Sequence, residues 1–173
     1  MALNNKFVLL LATLSAVLLT SSCKMSYKMN GSWIDYNKTK TISIATFANT
    51  AELVYPPFAV DFSQALRDTY MKNTRLQVLN KNGDMQLEGE ITEYYLTPLA
   101  ISTDNYASQT KLTVTINVRY TSKANQADDF ERKYSAFRTF DSSEMLTNVQ
   151  DALLKEINEE ICEKIFNDTA GKW

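Results

Sequence analysis

Residues Leu112 to Tyr120 alternate without a break. Leu112, Val114, Ile116, Val118 and Tyr120 occupy one parity, and Thr113, Thr115, Asn117 and Arg119 the other. In a strand, neighbouring side chains leave opposite faces. Such a segment therefore needs a sheet with one covered apolar face and one polar face, the habit of antiparallel sheets. A polar turn at Lys123 to Asp128 leads into the aromatic stretch Phe130 to Phe140, so the two runs predict a hairpin. Upstream, Met85 to Ala100 reads as a long strand in which Met85, Leu87, Ile91 and Tyr95 alternate with Gln86, Glu88, Glu90 and Thr92. A turn on Asn82-Gly83 precedes it, after the short apolar stretch Arg75 to Leu79. Thr41 to Phe47, rich in β-branched residues, predicts one more strand.

Two amphipathic segments complete the pattern. Pro56-Pro57 suits a helix start, since proline is tolerated in the first turn. Phe58, Phe62, Ala65, Leu66 and Tyr70 then form one stripe, ending near Asn73. At the other end, Asp141 to Glu144 resembles a capping box. Leu146, Val149, Leu153, Ile157, Ile161 and Ile165 follow as a stripe, with Cys162 beside it as a buried apolar thiol rather than a reactive one. Two stripes and one apolar sheet face pack most economically as a two-layer α+β sandwich. The prediction is two helices on one face of a mainly antiparallel (mixed) sheet of four to five strands, in the order β-α-β-β-β-α.

The N-terminus has a different character. Met1 to Lys6 is polar with one positive charge, and Phe7 to Leu19 is uncharged and apolar. Thr20, Ser21 and Ser22 are small, and Cys23 follows. This is the layout of a secretory signal peptide, with an apolar run shorter than the roughly 20 residues of a membrane span. The Thr-Ser-Ser-Cys sequence resembles a relaxed bacterial lipobox, which implies cleavage before Cys23 and lipid on its thiol and amine. The alternatives are an uncleaved anchor, or an ordinary signal peptide with an incidental cysteine. The expected organisation is a signal peptide over 1–22, a lipidated N-terminus and tether over 23–40, and one domain over 41–173. Removing 22 residues from 173 leaves 151, enough for one domain with a core.

Composition excludes several functions. The chain has no histidine, so Ser-His-Asp and Cys-His catalysis and imidazole metal ligation are out of reach. Its two cysteines, Cys23 and Cys162, make neither a zinc cluster nor, once Cys23 carries lipid, a disulfide. No glycine-rich phosphate loop occurs. The sequence therefore predicts no cofactor and no metal. From Cys23 onward the chain has one basic residue fewer than the full count of 18, against 20 acidic, a net of −3. That balance carries no footprint of nucleic-acid binding. Glu88, Glu90 and Glu93 are the only carboxylates placed for acid–base work on a sugar. Alternating Glu and apolar residues is also what any exposed strand face shows, so the expectation is a non-enzyme.

The runs KTISIATFAN (Lys40 to Asn49), Ala65 to Asp68, TRLQVL (Thr74 to Leu79) and GDMQLEGEITEYYLTPLAI (Gly83 to Ile101) come in a characteristic order. LTVTINVRYTSK (Leu112 to Lys123), DFERKYSAFRTFDSS (Asp129 to Ser143) and the terminal Ile165 to Trp173 complete it. Together these segments resemble the lipopolysaccharide-assembly lipoprotein family (LptE-like), in its Bacteroidetes form, over Thr41 to Trp173. The resemblance implies a helix-on-sheet plug inside a large outer-membrane β-barrel partner (LptD-like). It also implies contact with lipopolysaccharide on its way to the surface, and a location lipid-anchored to the outer membrane facing the periplasm. A lipoprotein of similar architecture serving a secretin or the cell wall is the alternative. In the family, basic residues contact the anionic head group, and by chemistry the candidates here are Arg119, Lys123, Arg132, Lys133 and Arg138 on the last hairpin. An ordinary solvated hairpin with interspersed charges gives the same sequence. Asp168-Thr169-Ala170 also resembles a bacterial O-glycosylation motif.

Overall fold

The computed structural model describes residues 34–53, 55–99 and 108–171. Strand β1 (Thr41–Ile44) and the two-residue β2 (Ala48–Asn49) precede helix α1 (Pro56–Asn73). Then come β3 (Gln77–Leu79), β4 (Met85–Pro98), β5 (Gln109–Ser122), β6 (Phe130–Asp141) and helix α2 (Leu146–Thr169). The sheet order is β3-β1-β4-β5-β6, with β2 paired to β4. β1 runs parallel to both β3 and β4, and β2 parallel to β4, while β4-β5-β6 is antiparallel. The predicted two-layer α+β sandwich is present, with a sixth strand that is too short to leave a periodic signal.

Both helices cover one sheet face, α1 over β1, β2 and β3 and α2 over β5 and β6, and they pack against each other. Under them lie Ile42, Ile44, Ile91, Leu112, Val114, Ile116 and Val118, all fully buried. Phe58, Phe62, Leu66 and Tyr70 of α1 bury the predicted stripe. Phe47, on the link between β1 and β2, meets Phe62 edge-on at 5.0 Å. It lies above Gly89, where a Cβ would come within 2.8 Å of the Phe47 ring and 2.0 Å of the Asn117 carbonyl oxygen. The packed region reaches back beyond Lys40, since Ile34 and Thr39 are 8% and 4% exposed and Ile34 joins the core. At the turn before β4, Asn82 takes φ 61°, a left-handed conformation that asparagine tolerates. Gly83 is required beside it because a Cβ would lie 2.4 Å from the Ser43 nitrogen.

Three local expectations are corrected. First, a β-bulge between Ile91 and Glu93 shifts the register of β4 against β5. An extra residue inverts the parity beyond it, so Tyr94 is buried and Tyr95 is 42% exposed. Second, the capping box does not form. Asp141 Oδ1 accepts instead from the Ser143 backbone and hydroxyl at 2.8 and 2.7 Å, and Met145 starts α2 without a side-chain cap. Third, the stripe of α2 is rotated: Leu154, Asn158, Cys162 and Thr169 are buried with Ile157, Ile161 and Ile165, while Leu153 is only half-buried. The added row faces α1, a neighbour that local periodicity does not encode. Cys162 is buried there, and burial pushes its thiol up to about 12.

The open edge of β6 is defended. Ser142 N donates to Ser108 O at 2.9 Å, extending the ladder. By antiparallel alternation, even-numbered residues of β6 bond β5 and odd-numbered ones turn their backbone groups outward. Two of those outward carbonyls are occupied: Lys164 Nζ donates to Ser135 O at 2.9 Å, and Arg138 Nη1 to Phe137 O at 2.7 Å.

Candidate functional site

The face of β4-β5-β6 that no described helix covers is where the polar parity of each strand collects. Register places its side chains in cross-strand rows: Glu88–Arg119–Glu131, Glu90–Asn117–Lys133, Glu93–Thr115–Ser135, Tyr95–Thr113–Phe137 and Thr97–Lys111–Thr139. At one end the rows are charged. Arg119 bridges Glu88 at 3.4 Å and Glu131 at 3.3 Å, and Asn117 Nδ2 donates to Glu131 at 2.7 Å. The bonds from Asn117 and then Arg119 hold the Glu131 carboxyl below the usual carboxylate range. These groups and the link between β1 and β2 line a shallow cavity of about 370 Å³. At the other end the face is aromatic and hydroxylated, with Lys111 Nζ 5.4 Å from the centre of the Phe137 ring.

The five basic candidates all lie on the hairpin, but not on one surface. Arg119 and Lys133 share the outer face in adjacent rows. Arg132 and Arg138, opposite Val118 and Leu112, turn toward α2. There Arg138 bonds Glu156 and Glu160, each at 2.7 Å, and those two carboxylates, Glu160 first, raise its guanidinium further. Arg132 pairs with Asp168, which also accepts from the Tyr134 hydroxyl at 2.8 Å. These contacts tie the edge strand to the helix. Lys123, at the end of the hairpin, donates to Asn82 O at 2.9 Å. Lys133 forms no ion pair or hydrogen bond among the described residues. Cys23 lies outside the described residues.

The three strand carboxylates have structural partners. Glu88 meets Arg119, Glu90 lies 3.3 Å from the Thr50 hydroxyl, and Glu93 accepts from the Thr115 hydroxyl at 2.7 Å. Among the described residues no cluster of three or more His, Cys, Asp or Glu could hold a metal. Thr169 is 2% exposed; its hydroxyl donates to Ile165 O at 2.7 Å and contacts the Tyr70 hydroxyl. The folded protein therefore offers no accessible hydroxyl at that motif. Sequence reasoning missed the Tyr95–Phe137 row, because the bulge that turns Tyr95 outward has no residue signature.

These features define a class: a small helix-on-sheet domain whose free surface is a hydrophilic sheet face built from side-chain pairs. Among the described residues no helix is long and apolar enough to cross a membrane. Residues 39–169 match the lipopolysaccharide-assembly family, LptE, and the chain belongs to that family of non-catalytic, membrane-associated lipoproteins. No curated protein matches the sequence significantly. Among solved structures, it is similar to the rare lipoprotein B of Shewanella oneidensis at 11% identity and TM-score 0.51, over 73% of this chain and 92% of that one. A Xanthomonas campestris protein is similar at 12% identity and TM-score 0.52, over 73% and 81%. A Chlamydia trachomatis protein matches at 7% identity and TM-score 0.50, over 75% and 97%. At these identities the likenesses speak for the fold.

Proposed function

We propose that this chain is lipid-attached at Cys23, faces the periplasm from the outer membrane, and plugs a large β-barrel translocon (LptD-like). In that role it helps the barrel assemble and contacts lipopolysaccharide during delivery to the cell surface. The observation that carries the reading is the match of residues 39–169 to the lipopolysaccharide-assembly family. The sheet face supports it. Barrel lumens are polar, and a plug seated in one needs hydrophilic side chains on the sheet face that the helices leave uncovered.

Of the basic hairpin residues proposed for head-group contact, Arg119 and Lys133 share the outer face, whereas Arg132 and Arg138 sit on the helix side and Lys123 at the turn. Lys133 leads on geometry, because among the described residues no carboxylate engages its ammonium, whereas Arg119 sits between two. Phosphate would have to compete with Glu88 and Glu131 for Arg119, but not for Lys133.

The test is copurification from outer membranes in mild detergent. A large β-barrel protein travelling with the chain is expected; a secretin, or cell wall alone, would overturn the reading. Cys23→Ala should release the protein from the membrane. Reversal of Arg132 and Lys133 to Glu should weaken lipopolysaccharide binding in low salt, and unchanged binding would remove both from the head-group site.

A further inference from the structure

Among the described residues, Tyr95 and Phe137 are the two large aromatic rings on an otherwise polar sheet face, 42% and 55% exposed. They are not scattered. Both flank Thr113 in a single cross-strand row, so two strand spacings separate them, roughly 10 Å. The rows on either side are hydroxylated: Glu93–Thr115–Ser135 on one, Thr97–Lys111–Thr139 on the other. Between the rings, Thr113 is 7% exposed and its hydroxyl has no hydrogen-bond partner among the described residues. A buried, unpaired hydroxyl costs stability, and valine would fill the same volume without that cost. Lys111 holds a cation beside the Phe137 ring.

Each component narrows the occupant. Two rings separated by a hydroxyl and bordered by threonines do not make the continuous apolar centre that a stable protein–protein contact of over about 1,000 Å² uses. An acyl chain would leave the Thr hydroxyls and the Lys111 ammonium dehydrated and unpaired. A sugar satisfies all three. Its C–H face lies flat on an aromatic ring, its hydroxyls bond hydroxyl side chains, and an acidic or phosphorylated sugar places its anion near Lys111.

We propose that the Tyr95–Thr113–Phe137 row, with Lys111, is a stacking platform for the saccharide part of an acidic glycan. This rests on the proposed contact with lipopolysaccharide and assigns its sugar portion, as distinct from its lipid, to the far end of the outer face from the Glu88–Arg119–Glu131 ladder.

The experiment titrates the full detergent-solubilised protein, by calorimetry, with phosphorylated core oligosaccharide freed from lipid A by mild acid, and separately with intact lipopolysaccharide. The oligosaccharide should bind, and Tyr95→Ala and Phe137→Ala should each weaken it about threefold to tenfold. Val60→Ala, an exposed apolar control on α1, should leave it unchanged. Thr113→Val should raise Tm while weakening binding, a combination that a purely structural threonine would not give. Lys111→Met should matter for the phosphorylated oligosaccharide and not for its dephosphorylated form. Binding unchanged in both ring variants overturns the platform, as does loss of barrel copurification in Tyr95→Ala with oligosaccharide binding intact. If intact lipopolysaccharide binds but the oligosaccharide does not, the platform falls and the proposed function stands. If neither binds, the proposed lipopolysaccharide contact falls with it.

Discussion

In the middle of β5, at Leu112 to Ile116, the two faces are buried to nearly the same degree by opposite means, although the outer face opens at Arg119. On the inner face Leu112, Val114, Ile116 and Val118 are fully buried beneath the helices, and on the outer face Thr113 and Thr115 are 7% and 5% exposed with no helix or strand layer above them among the described residues. Their cover is lateral, from longer side chains on β4 and β6. Inner burial removes apolar surface from water and contributes about 1.5–3 kcal/mol per large side chain. Outer burial exchanges water hydrogen bonds for bonds to neighbours, with a net near 1 kcal/mol each. A strand can therefore look equally enclosed on both sides while only one side holds the fold together.

Four substitutions test that asymmetry. Ile116→Ala should cost about 2–5 kcal/mol in chemical denaturation, because it empties space between sheet and helices that only partly collapses. Next comes Gly89→Ala, an inner-facing position where adding a methyl forces apart the Phe47 ring and the Asn117 carbonyl; overpacking there should cost about 1–3 kcal/mol. Thr115→Val removes the bond to Glu93 and should cost only about 1 kcal/mol. If its cost equalled that of Ile116→Ala, the outer face would be a second core and the comparison would fail. The smallest effect belongs to Arg119→Gln, below about 0.5 kcal/mol and fading with salt, since both ion pairs are solvent-exposed.

The Arg119 ladder also fixes a sign for pH. Asn117 and Arg119 hold the folded Glu131 carboxyl low, so its contribution is present above the unfolded carboxylate range. That contribution is lost as pH falls through the lowered folded value. Denaturation curves of Glu131→Gln should accordingly show a shallower acid limb than the parent, with the two converging at the lowest pH.

How much of this could be read from the chain alone depends on whether the cause was local. The alternation of β5 reports its own two faces, and the α1 stripe from Phe58 to Tyr70 reports the face it buries, because period and burial coincide. Tyr95 was misplaced because the bulge after Ile91 is set by pairing with β5 and not by its own residues. Leu153 was misplaced for a similar reason, since α2 buries a second row against α1. The capping box failed because β6 extends to Asp141, which spends its carboxylate on the turn at Ser143. The basic hairpin could have been read better. Arg132 and Lys133 are adjacent in a strand, so they had to leave opposite faces, and no single surface could contain both. Which of them would meet Asp168 depended on α2, far along the chain.

The occupied carbonyls of Ser135 and Phe137 bear on life at a membrane surface. A lipoprotein shares a plane with its copies, and confinement to two dimensions brings them together far more often than free diffusion in a volume would. A twelve-residue strand with an open side would then be a template for sheet-to-sheet joining. With Lys164 and Arg138 already seated on the middle of that side, an approaching strand would have to evict two cations before it could pair. High density at the surface can thus be reached without the domains fusing into continuous sheet.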